Sequence, residues 1–247
     1  MSEPRLEPDS AYTEDAFLGG QITLRQPKIG YRAGIDPVLL AGSLPVKPGK
    51  RVLELGCGAG AGLLCAARFF PDSECVGVER DENAAALARE NIALNDLSAR
   101  VSVITGDIKT VAVSGFDHVF FNPPFFEDPK ALRAPKDQKV QSWIASEPIK
   151  VWMDVAIAAL RGRGTISLIH RADHLGEILA GLGKRAGEIR IQPIHPREGE
   201  PAKRVIVHAR KHAKAPLTLL SPIIMHQDDD QYNPRVKSVL MGITPLL

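Results

Sequence analysis

The tetrapeptide Asn122-Pro123-Pro124-Phe125 contains the residue types needed for chemistry on a planar amine. Its two prolines restrict Asn122 and Pro123 to extended backbone, so the Asn122 amide oxygen and the Pro123 carbonyl can point into one pocket. Both oxygens are hydrogen-bond acceptors, and Phe125 offers an aromatic face for stacking. Two acceptors that hold the hydrogens of a conjugated amine favour a pyramidal nitrogen with an available lone pair. The tetrapeptide therefore predicts methylation of a planar amine, although a rigid loop that plugs the core is the structural alternative.

A glycine-rich turn, Leu53-Glu54-Leu55-Gly56-Cys57-Gly58-Ala59-Gly60, is the second chemical motif. Glycines let backbone amides approach a bound ligand closely. The same residues also satisfy a dinucleotide fingerprint, so a dehydrogenase, or a turn used only for tight packing, stays open on this motif alone. The acid at Glu54, the third glycine and the Asn-Pro-Pro-Phe turn favour an S-adenosylmethionine site.

Apolar runs that alternate with helical patterns position these motifs. Strands are predicted at residues 51–55, 74–79, 101–105, 116–121 and 164–169, with a hairpin at 188–194 and 204–209, and helices at 62–70, 82–95, 151–160 and 173–182. This alternation predicts a doubly wound, mostly parallel seven-stranded α/β sheet with a C-terminal antiparallel hairpin. Ligands then bind at the carboxyl ends of the strands. The glycine turn, Glu79, Asp107 and Asn122 all follow strands, so we expect them in one crevice.

Length and composition limit the class of protein. The 247 residues, 44% hydrophobic, suffice for a single domain at 1–247, with an N-terminal segment at 1–48 packed near the cofactor and a tail at 212–247. Apolar stretches are too short to span a bilayer and the first 25 residues are polar, so we expect a cytoplasmic protein. Three cysteines without metal-ligand spacing are predicted to be reduced thiols. The tail, with His226 beside three aspartates, is not expected to bind a metal.

Charge is distributed unevenly along the chain. The net charge is only +2, but residues 161–214 hold 12 Lys/Arg against 5 Asp/Glu. A basic half indicates a polyanionic partner, although long cations also solvate ordinary helix surfaces. The charge pattern alone does not decide between these two interpretations.

These motifs resemble those of the S-adenosylmethionine-dependent methyltransferases with an Asn-Pro-Pro-aromatic signature, and in particular the bacterial tRNA(Val) adenine N6-methyltransferases. The resemblance covers roughly residues 15–210. It includes Gln26 to Arg32, Asp36 to Ala41, the glycine turn, and the Ala-Arg-x-Asn-x-x-x-Asn pattern at Ala88 to Asn95. It implies a Rossmann-like class I fold, S-adenosylmethionine as cofactor and tRNA as partner, with an adenine near the anticodon as target. Phe125 departs from the family, where Tyr is frequent.

The resemblance also assigns roles to residues. The catalytic set is Asn122, Pro123, Pro124 and Phe125. The cofactor set is Tyr31, Asp36, Glu54, Gly56, Cys57, Gly58, Gly60, Glu79, Arg80, Gly106, Asp107 and Asn122. Candidate RNA contacts are Lys130, Arg133, Lys136, Lys139, Lys203 and Arg204, with Arg161, Arg210 and Lys211 as further cations.

Other functions stay open at this point. A guanine N2 amine in rRNA or a protein glutamine is an alternative acceptor, although the glutamine enzymes usually carry Tyr after the prolines and an N-terminal helical domain. A non-catalytic RNA-binding module is the third hypothesis, against which the intact glycines, Glu79 and Asn122 argue. The oligomeric state is not predicted.

Overall fold

A central sheet forms the core of the computed structural model, which describes residues 11–124 and 147–246. Its strands are β3 (Arg51–Leu55), β4 (Glu74–Glu79), β5 (Val101–Thr105), β6 (Phe116–Phe121), β7 (Leu160–Arg171), β8 (Ala186–His195) and β9 (Arg204–Lys211), with the two-residue β10 (Thr218–Leu219) and β11 (Ile223–Ile224). The strand order is β10-β8-β9-β7-β6-β3-β4-β5, with β11 also paired to β8. Strands β3 to β7 are parallel, whereas β9 is antiparallel to both β7 and β8.

Helices cover both faces of this sheet. They are α1 (Asp36–Gly42), α2 (Ala61–Phe69), α3 (Glu82–Leu94), α4 (Ile149–Ala159), α5 (Leu175–Leu182) and α6 (Pro234–Leu240), with single 3-10 turns at Leu18–Gly20, Ala172–His174 and Gly183–Arg185. One buried core lies under α1, α2, α3 and α6, and the other under α4 and α5. Phe120 packs in the first and Phe121 in the second, as expected from the alternation of side chains along a strand.

The predicted fold class is confirmed, with additions at both ends. The seven predicted strands are β3 to β9, and the tail adds β10, β11 and α6. Near the N-terminus, β1 (Tyr12–Phe17) and β2 (Ile22–Pro27) form a separate antiparallel hairpin that the sequence did not predict. Only β2 shows a regularly buried face, so β1 gives little hydrophobic signal.

Asn91 of α3 and Asn95, the residue that caps the C-terminus of this helix, hold the hairpin. Asn91 Oδ1 accepts from Arg25 N at 2.8 Å, and Asn91 Nδ2 donates to Arg25 O at 3.0 Å. Asn95 repeats the pattern with Thr23 N and O, at 2.9 and 2.7 Å. Because residues four apart lie on one helix face, the two amides pair with β2 in the way a neighbouring strand would.

A chain of buried polar side chains crosses three strands of the sheet. Ser167 Oγ lies 3.0 Å from His118 Nε2 and 2.5 Å from His208 Nδ1, and all three residues are buried. Removal from water lowers the pKa of both histidines to about 3. Both imidazoles are therefore neutral at physiological pH.

Candidate active site

The glycine turn leaves β3 in a backbone conformation that few other residues adopt. Gly56, Gly58 and Gly60 have φ angles of 68°, 54° and 93°, all in the left-handed region. The N–H groups of Gly56 and Cys57 donate to Val78 O at 2.8 and 3.1 Å, which fixes the turn to the end of β4. At Gly58 the position of a missing Cβ meets nothing within 4 Å, so the turn presents open backbone there.

Glu79 closes β4 and grips the same turn. Its Oε2 accepts from Gly58 N and its Oε1 from Asp81 N, both at 2.9 Å. Each carboxylate oxygen has a further lone pair, so Glu79 can also accept hydrogen bonds from hydroxyl groups of a ligand. The carboxylate that the sequence placed at the second strand end is thus held in position by backbone donors.

Glu54 lies beneath the turn rather than at its surface. The residue is 4% exposed, and its carboxylate occupies the space that a Cβ on Gly62 of α2 would fill. Burial raises the pKa of Glu54 well above its usual range, opposed by a hydrogen bond from Leu63 N and reinforced by the charge of Glu79. Glu54 therefore supports the turn from inside the core.

Asn122 follows β6 directly, beside the turn. Its Oδ1 is buried and has no hydrogen-bond partner among the described residues. The preceding Phe121 stacks on Trp152 of α4, with ring centroids 5.7 Å apart and an interplanar angle of 27°. The same indole approaches Gly56 so closely that a Cβ there would lie 2.7 Å from Trp152 Cη2. One buried ring thus contacts the glycine turn and the residue that precedes the Asn-Pro-Pro-Phe turn.

Asp107 and its neighbours form the far side of the crevice. Gly106 N donates to Glu79 O at 2.8 Å, which ties the end of β5 to β4. Asp107 Oδ1 accepts from Lys109 N at 2.8 Å, and Lys109 Nζ lies 2.7 Å from Glu147 Oε1. Arg80 is exposed immediately after Glu79. The strand ends therefore meet at one edge of the sheet.

Tyr31 and Asp36 occupy the connection from β2 into α1. The Tyr31 residue is 59% exposed as a whole, yet desolvation and the carboxylates of Asp36 and Glu54 raise its pKa to about 12. The phenol therefore stays protonated near the crevice. Asp36 begins α1 and accepts a hydrogen bond from Arg204 Nε at 3.0 Å. The structure thus pairs Asp36 with a cation of β9.

Comparison with known proteins identifies the family. A family model described as "Methyltransferase small domain" matches residues 33–140. A protein of Porphyromonas gingivalis strain W83 named tRNA1(Val) (adenine(37)-N6)-methyltransferase is 30% identical over 179 residues, which cover 66% of this chain and 68% of the relative. The chain belongs to this methyltransferase family. A protein of the same name from Aeromonas salmonicida is 33% identical over 120 residues, 48% of this chain and 51% of the relative.

A solved structure agrees with the family assignment. A predicted O-methyltransferase from Agrobacterium tumefaciens is 30% identical, with a TM-score of 0.71 over 85% of this chain and 97% of that chain. The methyltransferase class predicted from the sequence is confirmed. The chain spans about half the length of three of the curated relatives that it matches.

Sequence reasoning missed two residues that shape the site of this methyltransferase. Trp152 lies 30 positions beyond Asn122, and nothing in its local pattern indicated contact with the turns. Asn91 was visible only as part of a family pattern, whereas the structure shows its Nδ2 donating to Ala59 O of the glycine turn at 2.9 Å. The signal for Asn91 was a pair of asparagines spaced by four residues in an otherwise Ala-rich helix.

The candidate RNA contacts divide between opposite edges of the sheet. Because β9 is antiparallel to β7, Lys203 and Arg204 lie at the carboxyl edge with the site, whereas Arg210 and Lys211 lie at the other edge. Arg161 forms an ion pair with Asp117 at that other edge. Phe125 and four of the cations lie outside the described residues, namely Lys130, Arg133, Lys136 and Lys139.

The described part of the methyltransferase contains no cluster of three His, Cys, Asp or Glu side chains arranged to hold a metal ion. His226 stacks on Tyr232, and Asp230 pairs with Arg197. Within residues 11–124 and 147–246, no helix has the length and apolarity to cross a membrane. Cys57, Cys65 and Cys75 are buried free thiols, as predicted.

Proposed function

We propose that this methyltransferase transfers a methyl group from S-adenosylmethionine to the exocyclic N6 amine of an adenine in tRNA, in the cytoplasm. The observation that carries the proposal is the buried Asn122 Oδ1, which has no partner among the described residues and follows β6 beside the glycine turn. Leaving such an acceptor unsatisfied costs about 1–3 kcal/mol, and an amine donor in the crevice would relieve that cost. The names of the curated relatives support tRNA adenine as the acceptor.

The residues at the strand ends fit the cofactor. The open backbone at Gly58 allows close approach of the methionine part, and Glu79 has lone pairs left for two ribose hydroxyls. Asp107 lies at the next strand end, where the adenine of the cofactor would be held. When bound, S-adenosylmethionine supplies an electrophilic methyl group.

The chain itself supplies orientation rather than acid or base. Asn122 Oδ1 and the Pro123 carbonyl would accept the two amine hydrogens and aim the nitrogen lone pair towards the glycine turn. The nitrogen becomes acidic once alkylated, so its proton can pass to water without a dedicated base. Stacking by Phe125 on the target base stays a prediction. A target adenine in RNA must leave its stack, which favours a loop nucleotide.

Nucleoside mass spectrometry tests the acceptor. Purified protein, S-adenosylmethionine with a labelled methyl group and tRNA lacking the modification should yield labelled N6-methyladenosine. Labelled N2-methylguanosine would replace the adenine proposal with the guanine alternative. No label in RNA, but label in protein glutamine or in a hydroxyl group, would overturn the tRNA proposal altogether.

The variant Asn122→Ala tests the mechanism. Removing one oriented hydrogen-bonding group from a reacting centre typically costs 10²- to 10³-fold in turnover, so we expect a loss of about that size. Cofactor affinity, measured by calorimetry, should stay within about twofold, because the glycine turn and Glu79 are unchanged. Unchanged turnover in Asn122→Ala would remove Asn122 from the mechanism.

A further inference from the structure

Two arginines lie side by side at the carboxyl edge of the sheet, close to the end of β6, which Asn122 follows. Arg171 ends β7 and Arg204 begins β9, and the register of these antiparallel strands pairs them directly. Like charges placed opposite each other on neighbouring strands are destabilising. Arg171 is paired with Asp173 and Arg204 with Asp36, which offsets part of that cost.

The two arginines share a face of the sheet with Asn122. Phe120 of β6, Ile169 of β7 and Ile206 of β9 all belong to the core beneath α1. Side chains alternate along a strand, so Asn122, Arg171 and Arg204, each two residues from one of these, are placed on the same face. Neighbouring strands are about 4.8 Å apart and each residue rises about 3.3 Å, so Arg204 lies about 10 Å to the side of Asn122 and about 7 Å further along the strands. One or two extended nucleotides span such a distance.

A groove of about 330 Å³ continues this row beyond β9. Its apolar lining includes Ile35, Leu39, Ile194 and Met225. Its charged lining is Lys203, Arg204 and Asp36, whose carboxylate is paired with Arg204, so Lys203 leaves the groove with a net positive charge. Lys203 is exposed, and its ammonium group forms no ion pair within the described part of the chain. A net positive charge beside an apolar lining suits a ligand that alternates phosphates with ribose and base carbons.

We propose that this groove, with Arg171 and Arg204 at its inner end, holds the ribose-phosphate backbone of the RNA strand that flanks the target adenine. The inference rests on the proposed function and names the surface where the RNA lies. Phosphates would pass along Lys203 and Arg204, while the target base turns inward to Asn122. The cations at the opposite edge of the sheet would then make no specific contacts with the RNA.

A pair of charge reversals tests the proposal. Lys203→Glu places a carboxylate on the groove, whereas Lys214→Glu makes the same change at an exposed position just past β9, at the opposite edge. We expect Lys203→Glu to weaken tRNA binding about tenfold at moderate salt, and Lys214→Glu to stay within about twofold. The slope of log K against log salt concentration should become shallower by about 0.7–1 for Lys203→Glu. Lys203→Arg should bind like the unmodified protein.

Measuring cofactor binding in every variant, and the activity of the unmodified protein, distinguishes failure of this proposal from failure of the proposed function. S-adenosylmethionine affinity should be the same in all variants, which shows that Lys203→Glu has not unfolded the site. If the unmodified protein methylates tRNA but both reversals weaken binding equally, or neither does, the groove is not the RNA surface and the proposed function stands. If the unmodified protein neither binds nor methylates tRNA, both proposals fail together.

Discussion

Replacing Asn91 by Ala should weaken two regions of the protein at once. The side chain is fully buried and makes three hydrogen bonds of 2.8–3.0 Å, two to Arg25 on β2 and one to Ala59 in the glycine turn. Each bond contributes about 0.5–1.5 kcal/mol net, and more where a buried partner is left unsatisfied. We therefore expect a loss of about 3 kcal/mol in the free energy of unfolding. For a chain of this size that lowers Tm by about 6–12 °C.

The second effect of Asn91→Ala concerns the cofactor. Ala59 lies between Gly58 and Gly60, so freeing its carbonyl loosens the turn at which we propose that the cofactor binds. We expect the Kd for S-adenosylmethionine to rise about three- to tenfold, as measured by isothermal titration calorimetry at a temperature where the variant is fully folded. Denaturant unfolding measures the stability change separately.

Asn95→Ala is the matched control. Asn95 makes the same pair of hydrogen bonds to β2, at Thr23, and its Nδ2 also donates to Asn91 O at 2.7 Å, but it makes none to the glycine turn among the described contacts. Because Asn95 is only partly buried, the variant should lose less stability, about 1–2 kcal/mol, and keep the cofactor Kd within about twofold. If both variants weaken cofactor binding equally, or if Asn91→Ala leaves it unchanged, the contact with Ala59 does not support the turn and the reasoning is wrong.

Two further predictions concern stability. Gly62→Ala in α2 should destabilise the protein by about 1–3 kcal/mol because its Cβ would overlap the buried Glu54 carboxylate. Gly176→Ala, open to solvent in α5, should be neutral or stabilising by up to about 1 kcal/mol. Thermal unfolding in which both variants change the free energy of unfolding with the same sign contradicts this prediction. The pKa of histidine is near 6.5 in the unfolded chain, but that of His118 and His208 in the folded protein is about 3. Between pH 6.5 and pH 3 the unfolded state therefore binds more protons, so the free energy of unfolding falls as the pH drops through this range. In denaturant unfolding, the free energy of unfolding should fall by about 3 kcal/mol from pH 7.5 to pH 5.5. A free energy that stays constant over this range would refute the prediction.

The parallel strands could be predicted from the sequence because the hydrophobic pattern of each lies within its own few residues. Buried runs such as residues 51–55 and 116–121 are short, apolar and bounded by turn residues. Once the strands are placed, topology alone brings their carboxyl ends together, so Glu79 and Asn122 could be assigned to one crevice. Their hydrogen-bond partners could not be assigned, because these lie on other elements.

The features that the sequence did not reveal all depend on contacts between distant segments. The β1–β2 hairpin has little apolar pattern of its own in β1 and is held by side-chain amides 66 and 72 residues away. A hairpin of β8 and β9 was predicted, but its order in the sheet was not. Since β9 rather than β8 joins β7, Arg204 reaches Arg171 and the site edge. The spacing of residues along the chain does not predict which of the two strands pairs with β7.

The structure connects the N-terminal hairpin with both chemical motifs through buried contacts. Asn91 ties β2 to the outer side of the glycine turn, and Trp152 packs against its inner side at Gly56. The same indole stacks on Phe121, whose neighbour Asn122 would hold the target amine in the proposed reaction. One rigid ring thus packs between the glycine turn and the end of β6, from which the Asn-Pro-Pro-Phe turn leaves. Because methyl transfer requires the nitrogen and the methyl group within about 3–3.5 Å, such buried supports determine the geometry that the motifs themselves cannot set.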